Sequence, residues 1–301
     1  MSYETFIKDG ILNLGEIIDR QKCSELYSKI ENSREWGKSL FRTEEDVDKK
    51  MFPEATKENP TRGTNPGKGK CNFADSLDLT FIEENPKFKK TVEDILGKDC
   101  EIILKKFVVA VPEEWTPSWL EKRNKNYSDN LNPYVKEEFR DFTYFRGIDY
   151  HMDIMDQVNT KPDIITIYVY LNDVDHDMSP LHVIKKSHRF CETIYPHKYE
   201  DEDDVSNQIT LCDNDRKERL SKEILVAKKG TTFVWSSLTF HKTKPFISSD
   251  KPRISLRYTF KKNKNLKEKF VIDEFLEKNN LSNFRNLKNN TAIIQKSLSN
   301  T

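Results

Sequence analysis

The feature that most constrains the fold is a series of short strand-like segments in the middle and second half of the chain. Ile102–Val111 and Ile164–Leu171 are runs rich in β-branched and apolar residues, and Thr231–Trp235 and Arg253–Phe260 follow them. Many short strands separated by turn signals favour a β-sandwich or jelly roll, whereas strands alternating with long helices would indicate a parallel sheet. The sequence therefore predicts a mainly β fold with flanking helices.

Three other segments are predicted to flank these strands. Residues 4–36 are predicted to form a short strand and then a helix, because apolar residues precede a glycine-containing turn and then recur at helical spacing. Residues 86–97 suggest a helix around Phe88, and an amphipathic helix is expected near Phe270–Leu276. We see no boundary between domains, so the expectation is one domain over residues 1–301 with core strands at about 102–260.

Polar segments interrupt this domain. Residues 41–72, 112–141 and 196–222 are rich in charged, aromatic or turn-forming residues, and they are expected to be insertions that act as lids. Residues 261–301 form a polar C-terminal tail.

Charge and cysteine content exclude several classes of protein. Lys+Arg and Asp+Glu balance at 50 each, which argues against a nucleic-acid-binding protein. The 5 cysteines are scattered without a Cys-x-x-Cys pair, so neither a disulfide framework nor a zinc knuckle is expected. The start of the chain lacks the pattern of a signal peptide, and no apolar run approaches the roughly 18 residues of a membrane span. These features predict a cytoplasmic protein that binds neither nucleic acid nor a membrane, and they leave its oligomeric state open.

Two histidines and one aspartate form a candidate metal site. In His151-Met-Asp153 the first and third residues point to the same side of an extended strand, and a lone His241 follows a later strand. Two histidines and a carboxylate on one face of a metal are the ligand set of non-haem Fe(II) oxygenases. On spacing alone, a polar surface turn is the commoner explanation of a His-x-Asp sequence. A lone histidine in such a setting is commonly a hydrogen-bonded core residue.

Two arginines lie on one face of the last predicted strand. Arg253, Ser255 and Arg257 alternate with apolar residues, so this face points either to solvent or into a polar cavity. The planar guanidinium group suits bidentate binding of a carboxylate, which favours the cavity. The two arginines are separated by about 13 Å at strand rise, so only one of them is expected to reach the far end of a small metal-bound ligand.

The segment from Phe145 to Phe260 resembles the phytanoyl-CoA dioxygenase (PhyH) family of Fe(II)/2-oxoglutarate oxygenases. His151-Met-Asp153 matches the His-x-Asp of that family, and Ser179–His188 is similar to its Gly-x-Leu-x-x-x-Pro-Gly-Ser-His segment. Lys229–Trp235 followed by His241-Lys-Thr243 resembles its next block, and Lys251-Pro-Arg253 carries the arginine that follows. Ser179 and Lys185-Lys186 depart from the pattern, both in loops.

The resemblance implies a double-stranded β-helix (jelly roll, cupin-like) and the cofactors Fe(II), 2-oxoglutarate and O2. It assigns His151, Asp153 and His241 to the metal and to catalysis. It assigns 2-oxoglutarate binding to Arg253 for the C5 carboxylate, with Thr243 and Ser255 as supporting hydroxyls and Tyr168 beside the cosubstrate.

The resemblance also bears on the reaction and the substrate. Halogenating members carry Ala or Gly where this chain has Asp153, so hydroxylation, desaturation or oxidative ring closure is favoured. The substrate is expected to be a small carboxylate-bearing metabolite, such as the prenylated amino acid of a kainoid-type cyclase in specialised metabolism. This expectation comes from cationic and aromatic residues in and near the insertions, namely Arg62, Lys68, Lys70, Trp115, Trp119 and Arg146. A non-catalytic jelly-roll binding protein and a protein hydroxylase acting on a partner chain remain as alternatives.

Overall fold

The computed structural model describes eight stretches of the chain. They are residues 2–49, 72–123, 131–153, 161–191, 197–201, 206–213, 216–245 and 251–281. Within these stretches the helices are α1 (Glu4–Asp9), α2 (Arg20–Glu31), α3 (Glu44–Asp48), α4 (Thr80–Glu83), α5 (Pro86–Leu96), α6 (Ser118–Arg123) and α7 (Val271–Lys278). The strands are β1 (Ile11–Glu16), β2 (Glu101–Ala110), β3 (Thr143–Phe145), β4 (Ile148–His151), β5 (Ile164–Tyr170), β6 (Leu181–Ile184), β7 (Lys198–Glu200), β8 (Gln208–Asp213), β9 (Arg216–Leu225), β10 (Thr231–Ser236), β11 (His241–Thr243) and β12 (Arg253–Lys261).

The strands form two sheets, and the chain passes back and forth between them. The first sheet has the order β1-β10-β5-β12-β2-β3, and the second has the order β4-β11-β6-β9-β8-β7. Consecutive strands β4, β5 and β6 alternate between the sheets, as do β10, β11 and β12. Every pairing is antiparallel except that of β2 with β3. This winding is that of a double-stranded β-helix, so the predicted mainly β jelly-roll fold is confirmed.

Both faces of the first sheet are buried, which explains the nearly continuous apolar sequence of β5. On one face, Ile165, Ile167 and Val169 belong to a large core that also contains apolar residues of α2, α5 and α7. On the other face, Tyr168 and Tyr170 point between the sheets. There they pack in a second cluster with Val108, Leu181, Val183, Leu225, Phe233 and Trp235. Because side chains alternate along a strand, residues two apart on β5 and β12 face this interior together.

Several predicted elements are confirmed, and the N-terminal prediction is correct in part: the expected strand and helix are β1 and α2, but a further helix precedes them. The helices expected at 86–97 and near Phe270–Leu276 are α5 and α7, and the expected strands at Ile102–Val111 and Ile164–Leu171 are β2 and β5. Residues 4–36 instead begin with a helix, α1, before β1 and α2. Gly10 ends α1 with φ of 79° and donates its N–H to the Phe6 carbonyl, a left-handed helix end that glycine adopts without strain.

The segment 196–222, expected to be a polar lid insertion, supplies strands instead. It contains β7, β8 and most of β9, which form one side of the second sheet. Its charged composition fits this position, because β9 alternates exposed residues with buried Leu220 and Lys222. The lid role of this segment, and of 41–72 and 112–141, stays a prediction. Residues 50–71 and 124–130 of those segments lie outside the described residues.

None of the helices in the described stretches combines the length and the apolar character needed to cross a lipid bilayer.

Candidate metal centre

Strand pairing brings the three predicted metal ligands together. His151 ends β4 and His241 begins β11, and these antiparallel strands pair the two residues in register. Their ring centroids lie 4.3 Å apart. Asp153 follows β4 by two residues, and one ligand atom from each of the three side chains lies within 4.8 Å of the other two. The sequence predicted this cluster although His241 is distant along the chain.

Backbone carbonyls set the orientation of both imidazole rings. The Nδ1 atom of His151 lies 2.9 Å from the carbonyl oxygen of Asp149, and Nδ1 of His241 lies 3.0 Å from that of Thr239. A carbonyl oxygen only accepts, so each Nδ1 carries the proton and donates it, which leaves Nε2 as a lone-pair donor toward a metal. Burial, reinforced by the neighbouring His241, lowers the pKa of His151 to about 3. Both rings are thus held neutral, as metal ligands require.

The Asp153 carboxylate is oriented by hydrogen bonds to one oxygen, Oδ2, while the other, Oδ1, faces His241. Its Oδ2 accepts hydrogen bonds from the Thr166 hydroxyl at 2.6 Å and from Nε1 of Trp235 at 3.0 Å. Its Oδ1 lies 3.5 Å from Nε2 of His241 and also accepts from Nη2 of Arg257. Burial alone would raise the pKa of Asp153. The charge of Arg257, with the hydrogen bond from Thr166, outweighs burial and holds that pKa well below its usual range, so the group stays ionised.

These residues fit a first-row divalent metal ion. Ligand atoms bound at about 2.1 Å and at right angles lie about 3 Å apart, close to the 3.5 Å between Nε2 of His241 and Oδ1 of Asp153. The donor set is two neutral imidazoles and one carboxylate, which is the facial triad that suits Fe(II) and leaves coordination positions for other ligands.

A second cationic position lies deeper between the sheets, at Arg253. Its side chain is buried, with 0% exposure, and its guanidinium carbon lies 6.0 Å from the centroid of the Tyr170 ring. Its Nε and Nη1 atoms have no hydrogen-bond partner within the described part of the chain, and the same holds for the buried hydroxyl of Thr243. Buried N–H groups of this kind cost free energy unless a ligand accepts from them. The arrangement fits the carboxylate of a bound dicarboxylic acid.

The remaining predicted cosubstrate residues lie between the same two sheets. Tyr168 and Ser255 are buried and face the space between the sheets. Burial raises the pKa of Tyr168, while the guanidinium groups of Arg253 and Arg257 and the Ser255 hydroxyl oppose that shift. Tyr168 therefore lies between the two arginines.

Sequence reasoning missed three functional contacts. Thr166 and Trp235, which hold the Asp153 carboxylate, are cross-strand partners on β5 and β10. Lys106, buried on β2, pairs in register with Arg257. Residues two apart on β5 share a face, so Thr166 was detectable as a companion of Tyr168. The contact between Trp235 and Asp153 had no sequence signal, because it depends on the register of β10.

The predicted lid residues that the structure describes lie in a separate aromatic region. Trp115 packs 6.0 Å from Trp36, Trp119 lies 6.2 Å from Tyr134, and Arg146 forms an ion pair with Glu113 at 3.1 Å. Arg62, Lys68 and Lys70 lie outside the described residues.

One protein family matches the chain. The family model described as phytanoyl-CoA dioxygenase (PhyH) matches residues 6–255. No curated protein matches the sequence.

Solved structures give distant likenesses. The non-heme monooxygenase ThoJ in its apo form is 11% identical, with 97% of this chain and 98% of that chain covered and a TM-score of 0.48. EvdO2 from Micromonospora carbonacea var. aurantiaca is 15% identical, with coverages of 88% and 91% and a TM-score of 0.47. The alpha ketoglutarate dependent epimerase SnoN from nogalamycin biosynthesis is 12% identical, with coverages of 86% and 78% and a TM-score of 0.48. These TM-scores are below 0.5, so the fold is assigned from the strand order and the family from the sequence match.

Proposed function

The chain belongs to the phytanoyl-CoA dioxygenase (PhyH) family of Fe(II)/2-oxoglutarate-dependent oxygenases, and we propose that it oxidises an unactivated C–H bond of a small carboxylate-bearing metabolite. The observation that carries the proposal is the convergence of His151, Asp153 and His241 to within 4.8 Å. These three residues would hold the iron. When bound, Fe(II) would activate O2 at the expense of 2-oxoglutarate, which is converted to succinate and CO2.

Arg253 would bind the C5 carboxylate of 2-oxoglutarate. The support is its buried guanidinium group, which has two N–H groups without partners among the described residues, on the same strand face as Ser255. Arginine pairs with carboxylates in a planar, two-pronged geometry, so it would fix the direction of the cosubstrate as well as its charge. Thr243 and Ser255 would donate further hydrogen bonds, and Tyr168 would line the same cavity.

The other work of the protein is positioning and exclusion of water. Thr166 and Trp235 hold the Asp153 carboxylate in one orientation, and Asp149 and Thr239 do the same for the imidazole rings. The apolar and aromatic lining between the sheets keeps the site dry, which strengthens each electrostatic contact within it.

The ionised Asp153 favours hydroxylation, desaturation or ring closure over halogenation. Its carboxylate would occupy the coordination position that a halide needs. We propose an amino-acid derivative as substrate, with oxidative cyclisation of a prenylated amino acid as the specific candidate.

Anaerobic addition of Fe(II) and 2-oxoglutarate to the purified protein tests the proposal. A weak visible charge-transfer band is expected from the wild type. It should be absent from His151→Ala, which loses a metal ligand, and should weaken strongly in Arg253→Ala, which loses the C5 partner. Arg257→Ala is the matched control on the same strand face.

Two results would contradict parts of the proposal. A wild-type protein that binds Fe(II) but shows no band with 2-oxoglutarate would indicate a non-catalytic binding protein. If Arg257→Ala abolishes 2-oxoglutarate binding and Arg253→Ala does not, the assignment of the C5 partner is wrong. Substrate-triggered formation of succinate then identifies the substrate class.

A further inference from the structure

Arg257 lies beside the metal centre, in contact with Asp153. It is two residues beyond Ser255 on β12, and its side chain is 17% exposed. Tyr168 on β5 and Lys106 on β2 are its cross-strand partners. Its Nη2 donates to Oδ1 of Asp153, the oxygen nearest to His241. A guanidinium group thus lies beside the three metal-ligand side chains and separate from the Arg253 pocket.

Only part of the Arg257 guanidinium group is used by this contact. Arginine has five N–H donors in a planar fork, and one Nη2 donor is directed at Asp153. The buried Nε atom has no hydrogen-bond partner among the residues that the structure describes. Asp153, by contrast, is already oriented through its other oxygen by Thr166 and Trp235. Arg257 is therefore not required to orient Asp153. Its remaining N–H groups can donate to another acceptor.

The charges of the loaded site point to the nature of that acceptor. The ferrous ion and the 2-oxoglutarate dianion cancel each other in charge, and the carboxylate of Asp153 offsets one of the two arginines, Arg253 and Arg257. The loaded site then keeps one net positive charge. Burial and the neighbouring Arg257 lower the pKa of Lys106 well below its usual range, and this buried residue beside Arg257 adds no negative charge. A buried charge is costly unless an opposite charge accompanies it, so this wall of the chamber is complementary to an anion.

We propose that Arg257 binds the acidic group of the primary substrate, a carboxylate or an anion of similar size, and so directs the rest of that molecule at the metal. This inference rests on the proposed oxygenase function, and it adds the residue that recognises the substrate. Arg253 would bind the cosubstrate, and Arg257 would bind the substrate. Bidentate pairing would fix orientation, which a single point charge does not.

A binding experiment on the loaded but inert protein tests the inference. The protein is saturated with Mn(II) and 2-oxoglutarate under anaerobic conditions. Ligand binding is then measured by thermal shift and calorimetry for N-alkylated and N-acylated amino acids, each compared with its own carboxamide. Acids should bind the wild type and amides should not. Arg257→Gln should weaken binding of the acids by about 30-fold or more, because the substrate anion loses its buried partner. Arg257→Lys, which keeps the charge but loses the fork, should recover part of this affinity.

Metal affinity separates substrate recognition from a purely structural role. If Arg257 only oriented Asp153, Arg257→Gln would lose about 10- to 100-fold in Mn(II) affinity, as expected for supporting residues of metal ligands. On our proposal Arg257→Gln binds Mn(II) at least as tightly as the wild type, because a positive charge beside the ion has been removed.

Three outcomes are informative. Equal binding of acids and amides by the wild type would overturn the inference, and so would acid binding that Arg257→Gln leaves unchanged. Failure of the wild type to bind 2-oxoglutarate in the presence of Mn(II) would instead overturn the proposed oxygenase function itself.

Discussion

Substitution of Thr166 by valine tests how the metal centre is held together. Valine has nearly the shape of threonine and the same β-branched preference for strands, so β5 should keep its packing. The change removes the 2.6 Å hydrogen bond from the Thr166 hydroxyl to Oδ2 of Asp153. Trp235 remains as the donor to that oxygen, at 3.0 Å. The carboxylate therefore loses one of its two orienting contacts on that side.

The size of the effect follows from the strength of the lost bond. A hydrogen bond to a charged group contributes about 1.5–3 kcal/mol, and the residue is fully buried, so solvent does not replace the lost donor. If most of this energy orients Asp153 for the metal, affinity for the metal falls about 10- to 100-fold, the usual range for residues that support metal ligands. Trp235→Phe should act in the same direction. Because both donors contact one oxygen, the double variant should deviate from the sum of the single variants.

Mn(II) titration by calorimetry, with electron paramagnetic resonance of the free ion as a check, measures the change. Thr232→Val is the matched control, since this threonine is also buried on the same sheet but its hydroxyl lies 3.4 Å from the Gly230 carbonyl oxygen, its acceptor. Its Mn(II) affinity should equal that of the wild type. If Thr166→Val binds Mn(II) within twofold of the wild type while Thr232→Val does likewise, the reasoning that Oδ2 is held so that Oδ1 can bind metal is refuted.

Three further predictions concern other parts of the molecule. Arg253→Met should weaken 2-oxoglutarate binding by at least about 30-fold and leave Mn(II) affinity unchanged in calorimetry, because it removes one partner of a buried charge pair away from the metal. Arg34→Met should lower the free energy of unfolding by about 3–5 kcal/mol in chemical denaturation. In the wild type, Nη1 of the largely buried Arg34 lies 2.7 Å from Oδ1 of Asp141, and the substitution leaves that carboxylate without its ion-pair partner. Burial, with the nearby lysines, lowers the pKa of His182 from 6.5 to about 3, so the folded state binds fewer protons than the unfolded state and stability falls as the pH drops below 6.5. Removing this group in His182→Asn should reduce that loss of stability by about 1.4 kcal/mol per pH unit, as measured by chemical denaturation at several pH values.

The parts of the fold that sequence predicts are those with a strong local pattern. The runs of β2 and β5 favour strands, since β-branched residues are enriched in strands and both runs are shorter than most helices. The charged strand β9 has no such signal, because most of its residues are charged and exposed or half-buried, as in a polar loop. Helix α1 was predicted to be part of a strand for a related reason. Its six residues are too few to display helical periodicity, and its end depends on the conformation of Gly10.

The same distinction between local and non-local features applies to the candidate site. His151 and Asp153 are detectable because their relationship is local, two residues apart at the end of a strand. The support of that site is non-local. Trp235 reaches Asp153 because β10 pairs with β5 in a particular register, and one residue of slip would turn the indole to the opposite face. The sequence therefore indicates which residues are candidate metal ligands, whereas the orientation of their side chains depends on strand pairing.

The pairing of strands also explains how two arginines on one strand acquire different partners. Arg253 and Arg257 face the same interior, yet their cross-strand neighbours differ. Arg253 pairs with Ala110, next to a buried space in which its Nε and Nη1 have no partner among the described residues. Arg257 pairs with Tyr168 and reaches the carboxylate of Asp153. A four-residue offset along β12 thus separates a cation suited to the far end of a dicarboxylic acid from a cation beside the metal. On our proposals the same strand would recognise two acids at once, and exchanging the two environments would require a shift of the whole strand rather than a change of side chain.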